Sequence, residues 1–212
     1  MDDMALAHRY SKVAFDWAAR MDKLGYAGAY RGFAGIVLDH VQRPRSLCDI
    51  GCGSGAFARA VAQVYGGIIP ALTLVDPSQR MLNTAMIALA PASHALDVQK
   101  TTLAGATGRF DMVLAAHVIE HCPDMPAAFT QLAALIGPNG HLLLVVSRPH
   151  WCQWLIWPLW RHRWFTPDQL IAAGRDAGLT HLLTHNFTAG PPSRTSLGYL
   201  FTGSPTPKDI PC

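Results

Sequence analysis

From residue 46 onward the apolar positions fall into short uninterrupted runs, separated by Ala-rich stretches whose apolar residues recur at helical spacing. Short apolar runs bounded by turn residues fit strands buried on both faces. Their alternation with helical stretches is the pattern of a parallel sheet built from βαβ units. The pattern predicts strands at Ser46–Ile50, Ala71–Val75, Met112–Ala115 and His141–Val146, with a weaker one near His94–Leu96. Two more, His181–Phe187 and Leu197–Thr202, flank a Gly-Pro-Pro-Ser turn. One helix is signalled at both ends: Thr166 caps it, Pro167 suits its first position, Gln169 completes a T-x-x-Q capping box and Gly178 stops it.

Residues 1–45 follow another rhythm. Tyr10, Val13, Phe15, Trp17 and Met21 mix with Lys and Arg, Gly25 and Gly28 punctuate, and Phe33, Ile36, Val37 and Val41 recur at helical intervals until Pro44. The chain thus divides into an N-terminal helical segment, 1–45, and an α/β domain, 46–212. At 212 residues it has room for one such domain and its own core.

Half of the residues are hydrophobic and 15% are charged, which excludes a disordered chain and fits a deeply buried sheet. The net charge of +3 comes from scattered Lys and Arg, so no nucleic-acid face is indicated. The start MDDMALAHRY puts acids where a signal peptide needs basic residues, and no apolar run approaches the ~18 residues that span a bilayer. A cytoplasmic location is expected. Cys48, Cys52, Cys122, Cys152 and Cys212 include no C-x-x-C pair, so reduced core or loop thiols are expected.

The sharpest local signal is LCDIGCGSGAFARAV, an apolar strand running into a glycine-rich turn that opens a helix. Gly51, Gly53 and Ala56 satisfy the dinucleotide fingerprint G-x-G-x-x-G/A, while Gly51, Gly53 and Gly55 satisfy the G-x-G-x-G of methyltransferases. Asp49 separates the two by electrostatics. A carboxylate at this strand end repels a pyrophosphate at short range and attracts a ligand carrying an ammonium and a sulfonium, as S-adenosylmethionine does. A second strand ends in Asp76, where a carboxylate can accept both hydroxyls of a ribose, and Asp97 follows on the weaker third strand.

On these residues the chain resembles the class I S-adenosylmethionine-dependent methyltransferases. The matching segments are DIGCGSG, LVDPSQRML, ALDV, RFDMVLAAHVIEHCPD, LIGPNGHLLLVV and WFTPDQLIAAGRDAGL, within residues 46–203. The resemblance implies a Rossmann-like, doubly wound sheet of seven strands, mostly parallel with a final antiparallel strand. It implies S-adenosylmethionine as cofactor and S-adenosylhomocysteine as product. By residue match it assigns Asp49, Gly51, Cys52, Gly53 and Gly55 to the methionine end and Asp76 to the ribose. Pro77 and Met81 join the cofactor contacts, Asp97 and Val98 stand near adenine, and Ala115 and His117 lie at the floor beside the methyl group.

AAHVIEHC, residues 115–122, contains H-x-x-E-H, the spacing of an inverted zinc-protease helix. That motif must lie in a helix, whereas here it follows directly on the fourth predicted strand. In the resembling family this turn floors the methyl site, with Glu120 and His121 opening the next helix. Some relatives, among them a ubiquinone-pathway O-methyltransferase group, hold a divalent ion with E-x-x-E-H. His117 replaces the first glutamate, which removes a hard oxygen ligand, and no metal is expected.

The segment RPHWCQWLIWPLWRHRWF, 148–165, contains five of the six tryptophans. On a helix Trp154, Trp157, Trp160 and Trp164 would share an arc of ~120°, and Pro158 would kink it. Three roles compete: core packing, an apolar lid over the substrate, and an anchor at the inner membrane surface supported by Arg161, His162 and Arg163.

The sequence therefore predicts a methyltransferase for a small apolar or aromatic acceptor, transferring to O, N or C. Where the acceptor must lose a proton, His117, His121 or His150 can take it near neutral pH. Tyr10, Trp17, Tyr26, Tyr30 and Arg31 from the N-terminal segment, with Trp151, Trp154 and Trp157, are the candidate acceptor contacts. Two other classes stay open: a cofactor-binding partner without turnover, and a nicotinamide oxidoreductase, which Asp49 disfavours and for which no Y-x-x-x-K pair is present.

Overall fold

The computed structural model describes residues 21, 23–148 and 163–203. Helix α1 (Tyr26–Leu38) precedes β1 (Ser46–Ile50), α2 (Ala56–Val64), β2 (Ile69–Val75), α3 (Gln79–Leu89), β3 (Ser93–Gln99) and β4 (Phe110–Ala116). Then come α4 (Met125–Leu135), β5 (Ile136–Ser147), α5 (Pro167–Asp176), β6 (Leu179–Asn186) and β7 (Ser196–Gly203). The seven strands form one sheet in the order β3-β2-β1-β4-β5-β7-β6. Only β7 runs against its neighbours β5 and β6. This is the Rossmann-like, doubly wound sheet that the resemblance implies.

Both faces of the sheet are covered, which is why its central strands read as continuous apolar runs rather than alternating ones. On one face Leu47, Leu72, Leu74, Met112, Leu114 and Leu143 pack with α1, α2 and α3. On the other, Cys48, Val75, Val113, Leu142 and Leu144 pack with α4 and α5. Helix α1 is fixed by Phe33, fully buried and stacked on His185 of β6 at 5.5 Å. The glycine freedom of β7 matters here, since a Cβ on Gly198 would press on that ring at 3.1 Å.

Among the described residues the predicted elements are present, with three differences. Gly25 caps α1 with a φ of 84°, but Gly28 lies inside the helix rather than ending it. Strand β3 runs on to Gln99, well past the short run at His94–Leu96, because parallel pairing with β2 extends it. Glu120 and His121 do not open α4. They belong to a single 3-10 turn, Ile119–His121. Pro123 forces Cys122 into extended backbone (φ −74°, ψ 134°), and α4 starts afresh from Asp124, whose carboxylate accepts the Ala127 N–H at 3.1 Å.

Candidate active site

The sheet order reverses between β1 and β4, and in open α/β sheets the crevice beyond such a reversal is where ligands bind. The β1 side of this crevice is the glycine loop. Gly51, Gly53 and Gly55 take φ values of 63°, 52° and 78°, a left-handed course open to glycine at no steric cost. At Gly51 the demand is double: a Cβ there would also lie 2.7 Å from Val118 Cγ2, so the loop after β1 and the turn after β4 touch.

Asp49 is 2% exposed, and its Oδ2 accepts the Ala58 N–H in the first turn of α2 at 3.3 Å. Burial pushes its carboxyl up to about 7, against the pull of the Ala58 N–H and with a further push from Asp76. A cation in the crevice would stabilise the ionised form. Asp76 follows β2 directly; its Oδ2 accepts the Gly53 N–H at 3.0 Å and its Oδ1 the Ser78 N–H at 2.8 Å. Burial raises this carboxyl too, with the Ser78 and Gly53 amides opposing. The Cys52 N–H donates to Val75 O at 3.0 Å, so the glycine loop and the end of β2 form one hydrogen-bonded unit. Cys52 is buried beneath it, its thiol raised by the same burial.

Pro77 is half-buried beside Asp76, and Met81, 1% exposed, packs under the first turn of α3. Ala115 pairs with Ile50 and faces the α4 side of the core. Asp97 departs from its expected place. It is exposed and pairs with Thr73, which pairs with Cys48, in a row across the middle of the strands. The residue level with the end of β2 is Gln99, whose carbonyl accepts the Asp76 N–H at 3.3 Å, about 7 Å further along the strand. The longer β3 is the reason. Val98 lies beside Leu96 against the α1 face.

The β4 side of the crevice is built around His117, whose φ of 57° is uncommon outside glycine. Its N–H donates to Val145 O at 2.8 Å, which draws the turn towards β5. Ring Nδ1 lies 3.2 Å from Glu120 Oε1 and 3.1 Å from Ser147 Oγ. Glu120 Oε1 also accepts the Ser147 N–H at 2.7 Å. Burial alone would raise the Glu120 carboxyl, but the His117 hydrogen bond and the Ser147 amide outweigh it and hold the group down at about 2. His117 Nε2 and Glu120 Oε2 are buried and have no hydrogen-bond partner among the described residues. Burial lowers the pKa of His121, against the pull of the Glu120 carboxylate.

Tyr26 is the contribution of α1. Its ring meets His117 edge-on at 5.6 Å, and its hydroxyl bonds Thr195 Oγ1 at 3.0 Å. Tyr30 instead packs into the core against Phe57 at 4.8 Å, and Arg31 is exposed. Tyr10, Trp17, His150, Trp151, Trp154 and Trp157 lie outside the described residues. Among the described residues no cluster of three metal-ligating side chains forms, and no helix is long and apolar enough to cross a membrane. Nothing local in the sequence marks Ser147 at the end of β5; its bonds to the turn after β4 reveal it.

Comparison with known proteins agrees with this geometry. Residues 18–184 match the model of a family described as a methyltransferase domain. A ubiquinone biosynthesis O-methyltransferase of Methylobacterium nodulans is 32% identical over 69% of this chain and 64% of its own length. One from Rhodopseudomonas palustris is 33% identical over 58% and 54%. The chain thus spans less than two thirds of these curated relatives. Among solved structures, the magnesium protoporphyrin IX methyltransferase of Synechocystis PCC 6803 with bound SAH superposes with a TM-score of 0.75 at 16% identity, over 96% of this chain and all of that one. With the family model covering most of its length, the chain belongs to the methyltransferase-domain family.

Proposed function

We propose that the protein is an S-adenosylmethionine-dependent methyltransferase acting on a small hydrophobic or aromatic acceptor. The observation that carries this reading is Asp49, a buried carboxylate at the glycine loop whose Oδ2 already occupies the Ala58 N–H. A pyrophosphate seated on α2 would need such first-turn donors and would face the carboxylate's charge. A ligand with an ammonium and a sulfonium needs neither phosphate donor and gains from the charge.

The residues present fit that cofactor. The space a Cβ on Gly53 would fill holds nothing nearer than Gly51 O at 4.0 Å and stays open for close approach to the backbone. Asp49 holds a carboxylate towards the amino end, and Asp76, fixed by two backbone amides, has lone pairs left for ribose hydroxyls. When bound, the cofactor supplies an electrophilic methyl group. The chain's own work is then to hold the acceptor in line with that methyl, exclude water and manage the acceptor's proton. The relatives' name, ubiquinone biosynthesis O-methyltransferase, supports oxygen as the accepting atom.

The test is transfer of labelled methyl from S-adenosylmethionine to a phenol bearing an alkyl tail, read by partition into organic solvent. Label in the organic phase is expected. Saturable cofactor binding with no transfer to any phenol, amine or acid acceptor would instead mark a binding protein without turnover.

A further inference from the structure

Resting on that reading, we propose that His117 is the proton acceptor of the reaction through Nε2, that Glu120 is the residue positioning it, and that the acceptor is therefore a hydroxyl compound.

Three observations converge on His117. Its backbone occupies the left-handed region at φ 57°, a strained conformation for a side-chain-bearing residue that persists where the surroundings enforce it. Its Nδ1 edge is fixed by Glu120 Oε1 and Ser147 Oγ, on the adjacent strand end. Its Nε2 is buried without a partner among the described residues, in the turn that touches Gly51. Buried polar atoms in native proteins are nearly always paired, so one left bare beside a ligand crevice marks a ligand contact.

The hydrogen-bond inventory then fixes the proton. Glu120 Oε1 accepts from the Ser147 N–H, so it presents only lone pairs to the imidazole. Nδ1 at 3.2 Å must therefore carry hydrogen; the other tautomer would set two lone pairs against each other. The neutral ring is left with its lone pair on Nε2. An acceptor O–H placed there loses its proton to Nε2. The oxygen's electron pair forms the new O–CH₃ bond while the C–S pair returns to sulfur, neutralising the sulfonium. The resulting imidazolium lies against the Glu120 carboxylate until the proton passes to water.

The full-length protein labelled with ¹⁵N-histidine tests this without an acceptor. Backbone assignment identifies the His117 ring, and long-range ¹H–¹⁵N correlations give its tautomer. The Nδ1–H form is expected, with the Nε2 resonance moving more than Nδ1 on saturation with S-adenosylhomocysteine. Glu120→Gln should keep the Nδ1–H form, because the Ser147 N–H holds the amide oxygen in the Oε1 position, whereas Glu120→Leu, with no acceptor facing Nδ1, should lose that preference; a merely structural glutamate would leave the tautomer unchanged in both. A proton on Nε2 in the wild-type protein, or an Nε2 resonance indifferent to bound ligand, would overturn the proposal. The wild-type tautomer decides even if Glu120→Leu fails to fold. If calorimetry detects no S-adenosylhomocysteine binding, it is the cofactor reading that fails, while the tautomer is still read.

Discussion

Gly51 and Val118 lie in the loops that follow β1 and β4, on either side of the sheet's reversal, and a methyl group on Gly51 would lie 2.7 Å from Val118 Cγ2. Gly51→Ala must therefore displace the turn that holds His117 or distort the loop that holds Asp76. We expect it to weaken S-adenosylhomocysteine binding by roughly tenfold or more, the equivalent of the 1–3 kcal/mol strain of a non-glycine residue at positive φ. Adding Val118→Ala should relieve the clash but not the φ penalty, so calorimetry on the double variant should show only partial recovery.

Asp49 gives a pH signature. Its folded value of about 7 lies above the ordinary 3.8, so the folded protein holds this proton more tightly than the unfolded chain does. Its contribution to stability is then full at low pH and is lost as pH rises from about 4 through 7. Asp49→Asn should be more stable than the wild type without ligand, by several degrees in Tm at pH 8, with the gain shrinking towards pH 4. The same variant should lose most cofactor affinity. Thermal unfolding across pH, with and without S-adenosylhomocysteine, checks both.

Glu120 has the opposite sign. Held at about 2, below the ordinary 4.5, it contributes stability that is present above pH 4.5 and lost as pH falls towards 2. Glu120→Ala leaves the Ser147 N–H and His117 Nδ1 without their buried partner and should cost about 3–5 kcal/mol at pH 7. Urea unfolding should show that cost shrinking as the pH approaches 2.

Stability and site should separate at α5. Thr166 Oγ1 accepts the Gln169 N–H at 3.3 Å while the Gln169 side chain returns a bond to the Thr166 N–H at 2.9 Å. Thr166→Ala should cost about 1 kcal/mol, lowering Tm by roughly 2–4 °C, with no change in cofactor affinity.

The capping box at Thr166 shows why so much of this fold is legible in the sequence: caps, glycine turns and apolar runs are local, and the local chemistry agrees with the global topology. The glycine loop and Asp76 are legible for the same reason, since each sits next to its own strand in the chain. Asp97 shows where local reading stops. The end of β3 is set by pairing with β2, which no property of ALDV reveals, so the residue level with Val75 turns out to be Gln99, whose carbonyl accepts the Asp76 N–H. The bond between His117 and Ser147 spans two strand ends that are distant in sequence. The sequence offers three histidines for one role; the fold sets His117 beside Glu120, Ser147 and, through Val118, the glycine loop, and His150 lies outside the described residues.

The central claim is the identity of the cofactor, and isothermal titration of the purified protein with S-adenosylhomocysteine and, separately, NAD⁺ tests it most directly. The account predicts saturable, one-to-one binding of S-adenosylhomocysteine that Asp49→Asn and Asp76→Asn each weaken, and no binding of NAD⁺. Saturable NAD⁺ binding with no response to S-adenosylhomocysteine would contradict it.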